Sequence, residues 1–129
     1  MAFLQKIAQL AGWLAVVVIA ILSLVPGSLR PHFGVPPNLE HVAAYLEHVV
    51  AYLGTAGLLT FGYGKQYRPL VVALCLSIYS AVLEIAQILV PGRHAGFSDF
   101  AASTTGAVIG SALAWIVLRA LAGSGTPRR

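Results

Sequence analysis

The sequence predicts an all-α fold, a four-helix transmembrane bundle with both termini cytoplasmic, and three observations predict it. First, 58% of the 129 residues are hydrophobic and only 9% are charged, with a mean hydropathy of +0.83. A soluble domain carries roughly 25% charged residues, so this chain lacks the means to cover a water-facing surface and must be solvated by lipid. Second, four apolar stretches long enough to cross a bilayer recur at about 4–25, 39–61, 70–90 and 99–121. Third, the basic residues divide unevenly between alternate loops. Lys6, Lys65, Arg68, Arg119, Arg128 and Arg129 make six on one side, against Arg30 and Arg93 on the other. Such residues concentrate on the cytoplasmic side. The transmembrane domain therefore covers 1–122, and 123–129 read as a disordered basic tail.

The first span contains 19 uncharged residues from Ile7 to Val25, preceded by Lys6 and closed by Pro26-Gly27. It exceeds the roughly 7–15-residue apolar core of a signal peptide and ends in no small-x-small site, so it reads as a retained helix. Ser28 to Asn38 holds three prolines and a glycine and reads as a loop.

The second span opens on a duplication. EHVAAYL (Glu40–Leu46) is followed at once by EHVVAYL (Glu47–Leu53), identical at six of seven positions. Seven residues are nearly two helical turns, so the copies stack on one face with a drift of about 20°. His41, Tyr45, His48, Tyr52 and Thr55 form a polar-aromatic stripe there.

A short polar loop, Gly62 to Pro69, leads to the third span, Leu70 to Val90. Its only polar residues, Ser77, Ser80, Glu84 and Gln87, fall on one helical face. Pro91-Gly92 stops it. The fourth span is capped by Ser98 or Asp99 and runs uncharged for 19 residues from Phe100 to Leu118. Gly106 and Gly110 form a Gly-x-x-x-Gly pair suited to close helix packing, within the chain or in a homo-oligomer. Trp13, Tyr63, Tyr67 and Trp115 read as interfacial belt residues.

The charge pattern places all four acids and all four histidines in the outward half. Glu84 then lies roughly 9 Å below a helix end at Val90, within the hydrocarbon. An intramembrane acid marks a functional site by default. The candidate polar cluster is Glu84, Gln87, Arg93, Asp99, His48, Tyr52 and His41. Glu84 pairs with Arg93, binds a cationic or hydroxylated ligand with Gln87, or acts as a protonatable carboxylate. Arg93 with His94, ahead of a helix N-terminus, resembles an anion clamp. Asp99 reads as a cap and Arg93 partner. His48 is expected to hydrogen-bond Glu84 or Asp99 across the bundle. No metal or cofactor is expected, because His41 and His48 lie roughly 10 Å apart along one helix, too far for one ion. The net charge of +4 flanks apolar runs and gives no nucleic-acid pattern. The lone Cys75 provides no disulfide framework.

These residues resemble the VanZ-like family of small bacterial membrane proteins. The resemblance rests on His-x-x-x-Tyr (His48 and Tyr52, or His41 and Tyr45), Glu84-x-x-Gln87, Pro91-Gly92-Arg93, and Asp99 opening a span with Gly106 and Gly110. The chain departs from the family pattern in having Ser103 where an Asn is common, and in lacking an Asp-Lys pair ahead of the His. The resemblance implies a multi-pass protein of the bacterial inner membrane with a role in the cell envelope or in resistance to the glycopeptide teicoplanin. Its implied partners are membrane lipids and a lipid-linked cell-wall precursor or glycopeptide. Two other function classes stand beside it: an enzyme acting on a lipid-linked precursor by general acid/base chemistry, and a small proton-coupled transporter. No nucleophile–base motif supports the enzyme, and Glu84 lies far from the midplane for a transporter.

Overall fold

The computed structural model describes residues 1–29 and 36–123. Four helices make up the fold: α1 (Ala2–Leu24), α2 (Glu40–Tyr63), α3 (Pro69–Gln87) and α4 (Phe97–Gly123). All four are long and apolar enough to cross a membrane. Short 3-10 turns at Gly27–Leu29 and Pro37–Leu39 flank the first connection. Arg30, His32 and the tail at 124–129 lie outside the described residues.

Two ends differ from the spans expected from hydropathy. Helix α3 stops at Gln87 rather than Val90, because the next three amides tighten onto carbonyls three residues back: Ile88 on Ile85, Leu89 on Ala86, Val90 on Gln87. Pro91 has no N–H with which to continue a helix, and Gly92 turns the chain at φ +73°. Helix α4 starts at Phe97, so neither Ser98 nor Asp99 is its cap. Asp99 sits inside the first turn, and the Gly96 carbonyl accepts from the amides of Asp99 (3.1 Å) and Phe100 (3.2 Å).

The helices form a ring in the order α1, α2, α4, α3, with the most extensive packing between α2 and α4. That contact is made by glycine. A Cβ on Gly106 would collide with the Val49 carbonyl and meet Leu53 N at 3.0 Å; one on Gly110 would collide with the Leu53 carbonyl. The Gly-x-x-x-Gly pair is therefore filled by α2 of the same chain.

Helix α1 is held at points along its length. Gln9 Nε2 donates to the Gly62 carbonyl (2.8 Å), and Gly12 lies against Leu59. The Tyr79 hydroxyl donates to the Val16 carbonyl (2.6 Å). The core between the helices comprises Ile19, Tyr52, Ala56, Leu59, Leu76, Leu83 and Ala107. Leu10, Leu14, Leu70, Leu74 and Ile116 point outward and are exposed, as expected of side chains solvated by lipid. At the end carrying Lys65 and Arg68, Trp13 Nε1 donates to the Tyr63 hydroxyl (3.0 Å), and Arg119 stacks over Trp115 at 5.1 Å.

Candidate functional site

At the opposite end of the bundle, three helices deliver three side chains to one place. Helix α3 turns its polar face inward. Ser80, Glu84 and Gln87 are buried, with Glu84 only 7% exposed. Because α3 ends at Gln87, Glu84 lies within one turn of the helix end, shallower than the span to Val90 predicts. Its Oε2 accepts the amide of Gly96 at 2.8 Å.

Helix α2 contributes His48 and Tyr52. The His48 Nδ1 lies 2.9 Å from the Ala44 carbonyl one turn earlier. A carbonyl only accepts, so Nδ1 carries the hydrogen, and the nitrogen left for another partner is Nε2. Tyr52 is fully buried beside Ser80, Ser103 and Glu84. The first turn of α4 contributes Asp99, whose Oδ1 accepts from the Ser98 hydroxyl at 3.3 Å.

One ligand-type atom from each of His48, Glu84 and Asp99 lies within 4.8 Å of the others. His48 thus lies near both acids, but among the described residues it makes no hydrogen bond to Glu84 or Asp99 of the kind expected from the sequence. The cluster is a gathering without a direct hydrogen bond, since the bonds of each group go to its backbone or helix neighbours. The spacing of His41 and His48 argues against an ion shared by those two. The structure assembles a different donor set, from three helices, that spacing within one helix does not reveal.

Among the described residues, Arg93 donates to backbone carbonyls of α1, and no ion pair joins it to Glu84 or Asp99. Its Nε and Nη2 donate to the Ser23 carbonyl (3.2 and 2.9 Å), and Nη2 also reaches the Leu22 carbonyl (3.4 Å). Those are orphan acceptors at the negative end of the α1 dipole, and they hold a guanidinium well. The same turn is fixed to the 3-10 turn that follows α1 by the Gly27 amide, which donates to the Pro91 carbonyl (3.3 Å).

Two openings flank the cluster. A small cleft of about 90 Å³ is lined by His48, Glu47, Tyr52 and Arg93. A wider groove of about 570 Å³ is lined by Asp99, His41, Tyr45 and His94. His48 borders one and Asp99 the other. Both duplicated heptads thus reach the polar end, His48 facing inward and His41 exposed on the rim. Gln87 is buried near the end of α3.

The sequence pattern did not reveal Gly96 as the partner of Glu84. The only available signal was a glycine immediately before a helix start, where a bare N–H can approach a carboxylate. The cluster can exchange protons, accept hydrogen bonds or ligate a cation.

Comparison with curated proteins and with solved structures returned no match. A family model, VanZ/LLP1, matches residues 3–118, which include all four helices up to the last turn of α4 and every residue of the cluster. The chain belongs to the VanZ/LLP1 family.

Proposed function

We propose that this protein resides in the bacterial inner membrane with both termini cytoplasmic, and that its outward polar end binds an anionic or glycosylated envelope molecule. A lipid-linked cell-wall precursor fits that chemistry, as does a glycopeptide such as teicoplanin. The observation that carries the reading is the convergence of His48, Glu84 and Asp99 from three helices at the mouth of two clefts. Polar side chains at membrane depth are expensive, and a bundle retains them where they meet a ligand. Arg93, anchored on the α1 carbonyls, lines the cleft beside His48 and brings a positive charge to it.

Enzymatic general acid/base action on a lipid-linked precursor is the second reading, favoured by an imidazole gathered with two carboxylates. Two experiments test the pair. In cells, expression is expected to lower teicoplanin susceptibility, and Glu84→Gln or His48→Gln to abolish the effect while leaving membrane levels unchanged. Native mass spectrometry of the purified protein is expected to retain a polar lipid or lipid-linked sugar that these variants lose. Unaltered retention by both variants would overturn the site. A C-terminal phosphatase fusion active in the periplasm would overturn the orientation.

A further inference from the structure

We propose that His48, Glu84 and Asp99 form a binding site for one divalent transition-metal cation of the Zn²⁺ class. The inference deepens the ligand-binding reading above, because it names what lets an anionic molecule approach two carboxylates. Three observations carry it.

The first is the donor chemistry. One imidazole and two carboxylates, each from a different helix, place a ligand atom within 4.8 Å of the other two. Three atoms so close always leave a point no more than about 2.8 Å from each, so inward shifts of at most about 0.8 Å give the zinc–nitrogen and zinc–oxygen distances of about 2.0–2.2 Å. A set of three protein ligands leaves a coordination position open, the pattern of zinc sites that bind an exogenous ligand.

The second is the support behind each donor. A metal-bound histidine characteristically donates its other ring N–H to a carbonyl or carboxylate, which fixes the tautomer and the ring plane. His48 Nδ1 is so held on Ala44 O, and Nε2 is the nitrogen left for another partner. Glu84 Oε2 is held by the Gly96 amide, which leaves Oε1; Asp99 Oδ1 is held by Ser98, which leaves Oδ2. Each of the three side chains is oriented by one atom and keeps another available. The supporting bonds come from two backbone groups, the Ala44 carbonyl and the Gly96 amide, and from the Ser98 hydroxyl.

The third is charge. Glu84 is buried, and among the described residues neither Glu84 nor Asp99 forms an ion pair with Lys or Arg. Two adjacent carboxylates at the edge of a bilayer repel each other and resist desolvation unless a cation joins them. One divalent ion with a neutral imidazole brings the cluster to zero net charge. Its open position then attracts an anionic oxygen, such as a phosphate or carboxylate of the envelope molecule, from the groove that Asp99 borders.

The test is a titration of the chelator-stripped protein, purified in detergent, with ZnCl₂ and separately with MnCl₂. Calorimetry and elemental analysis read affinity and stoichiometry. One ion per chain is expected, with binding weakened at least about tenfold in His48→Gln and in Asp99→Asn, since even the loss of an outer-shell partner costs about 10–100-fold. X-ray absorption of the zinc form is expected to show only nitrogen and oxygen neighbours, with no sulfur. His48→Gln and Asp99→Asn alter partly exposed positions, so both are expected to keep the size-exclusion profile and helix content of the wild type; Glu84→Gln, at a buried position, supports them. Absence of binding by either cation in the wild type would overturn the inference and leave water or a proton in the cluster. Wild-type affinity in both variants would also overturn it, placing the ion elsewhere. No envelope molecule enters the titration. An unloaded cluster therefore sinks the metal alone, whereas a loaded cluster in a protein that retains no envelope molecule sinks the ligand-binding reading alone.

Discussion

Replacing Gly110 by Ala tests whether the contact between α2 and α4 organises the bundle. The added Cβ would overlap the Leu53 carbonyl oxygen and lie 2.9 Å from both the carbonyl carbon and the Cα of Leu53. All three obstacles are backbone, so no rotamer change relieves them. Restoring ordinary contact requires the helices to separate locally by about half an ångström or more, which opens gaps between neighbouring side chains. Overpacking of this kind costs about 1–3 kcal/mol, and a rigid backbone obstacle places Gly110→Ala near 3 kcal/mol. Gly106→Ala faces the Val49 carbonyl and Leu53 N in the same way and is expected to cost a similar amount. Gly54 provides the internal control. It lies on the same helix pair with nothing within 4 Å of its Cβ position, so Gly54→Ala is expected to be neutral or to stabilise by up to about 1 kcal/mol through helix propensity. Thermal unfolding of the three variants in one detergent, followed by circular dichroism, reads the order. Gly110→Ala and Gly106→Ala variants as stable as Gly54→Ala would refute the close approach of α2 and α4.

Other consequences follow from the attachments of α1 and of the turn between α3 and α4. Arg93→Gln removes charge-assisted bonds to the Ser23 and Leu22 carbonyls and is expected to cost about 1.5–3 kcal/mol, with Arg93→Lys recovering part of it; thermal unfolding measures both. Tyr79→Phe removes the bond to Val16 O and is expected to cost about 1 kcal/mol, seen as earlier proteolysis of α1 in detergent. A Cβ on Gly27 would lie 2.6 Å from Gly92 O, whereas one on Gly96 would make only 3.5 Å contacts with Ser98 and Asp99. Gly27→Ala is therefore expected to lower the unfolding temperature and Gly96→Ala to leave it unchanged, which one melting experiment decides.

The four helices were legible from hydropathy alone because lipid demands continuous apolar length and an internally satisfied backbone. Polar positions on α3 also told which face turns inward, and Ser80, Glu84 and Gln87 are all buried there. Partnerships across the bundle were less legible. The sequence distance from Glu84 to Arg93 suggested a salt bridge, yet the free carbonyls at the end of α1 hold Arg93 and the Gly96 amide holds Glu84. Backbone groups leave no trace in a pattern of side chains, so these competitors were invisible. The helix ends were misplaced for the same reason: the stop at Gln87 and the start at Phe97 depend on backbone geometry around Pro91, Gly92 and Gly96. The expected hydrogen bond from His48 to Glu84 or Asp99 is replaced by one to the Ala44 carbonyl, another backbone partner that a side-chain pattern does not show. The assembly of one donor from each of three helices required knowing that α4 lies between α2 and α3.

That ring order bears on biosynthesis. Helix α2 carries the buried hydroxyls of Thr55 and Thr60 and the phenol of Tyr52, and its main packing partner is α4, which is made after α3. Ser103 and Ser111 of α4 are buried in turn. Until α4 enters the membrane, α2 has neither the glycine groove that fits its backbone nor the small polar residues that shield its inner face. A nascent chain truncated after α3 would thus leave polar groups of α2 facing lipid, a state open to membrane quality control. Packing of α4 against α2 and α3 both closes the ring and brings Asp99 to His48 and Glu84.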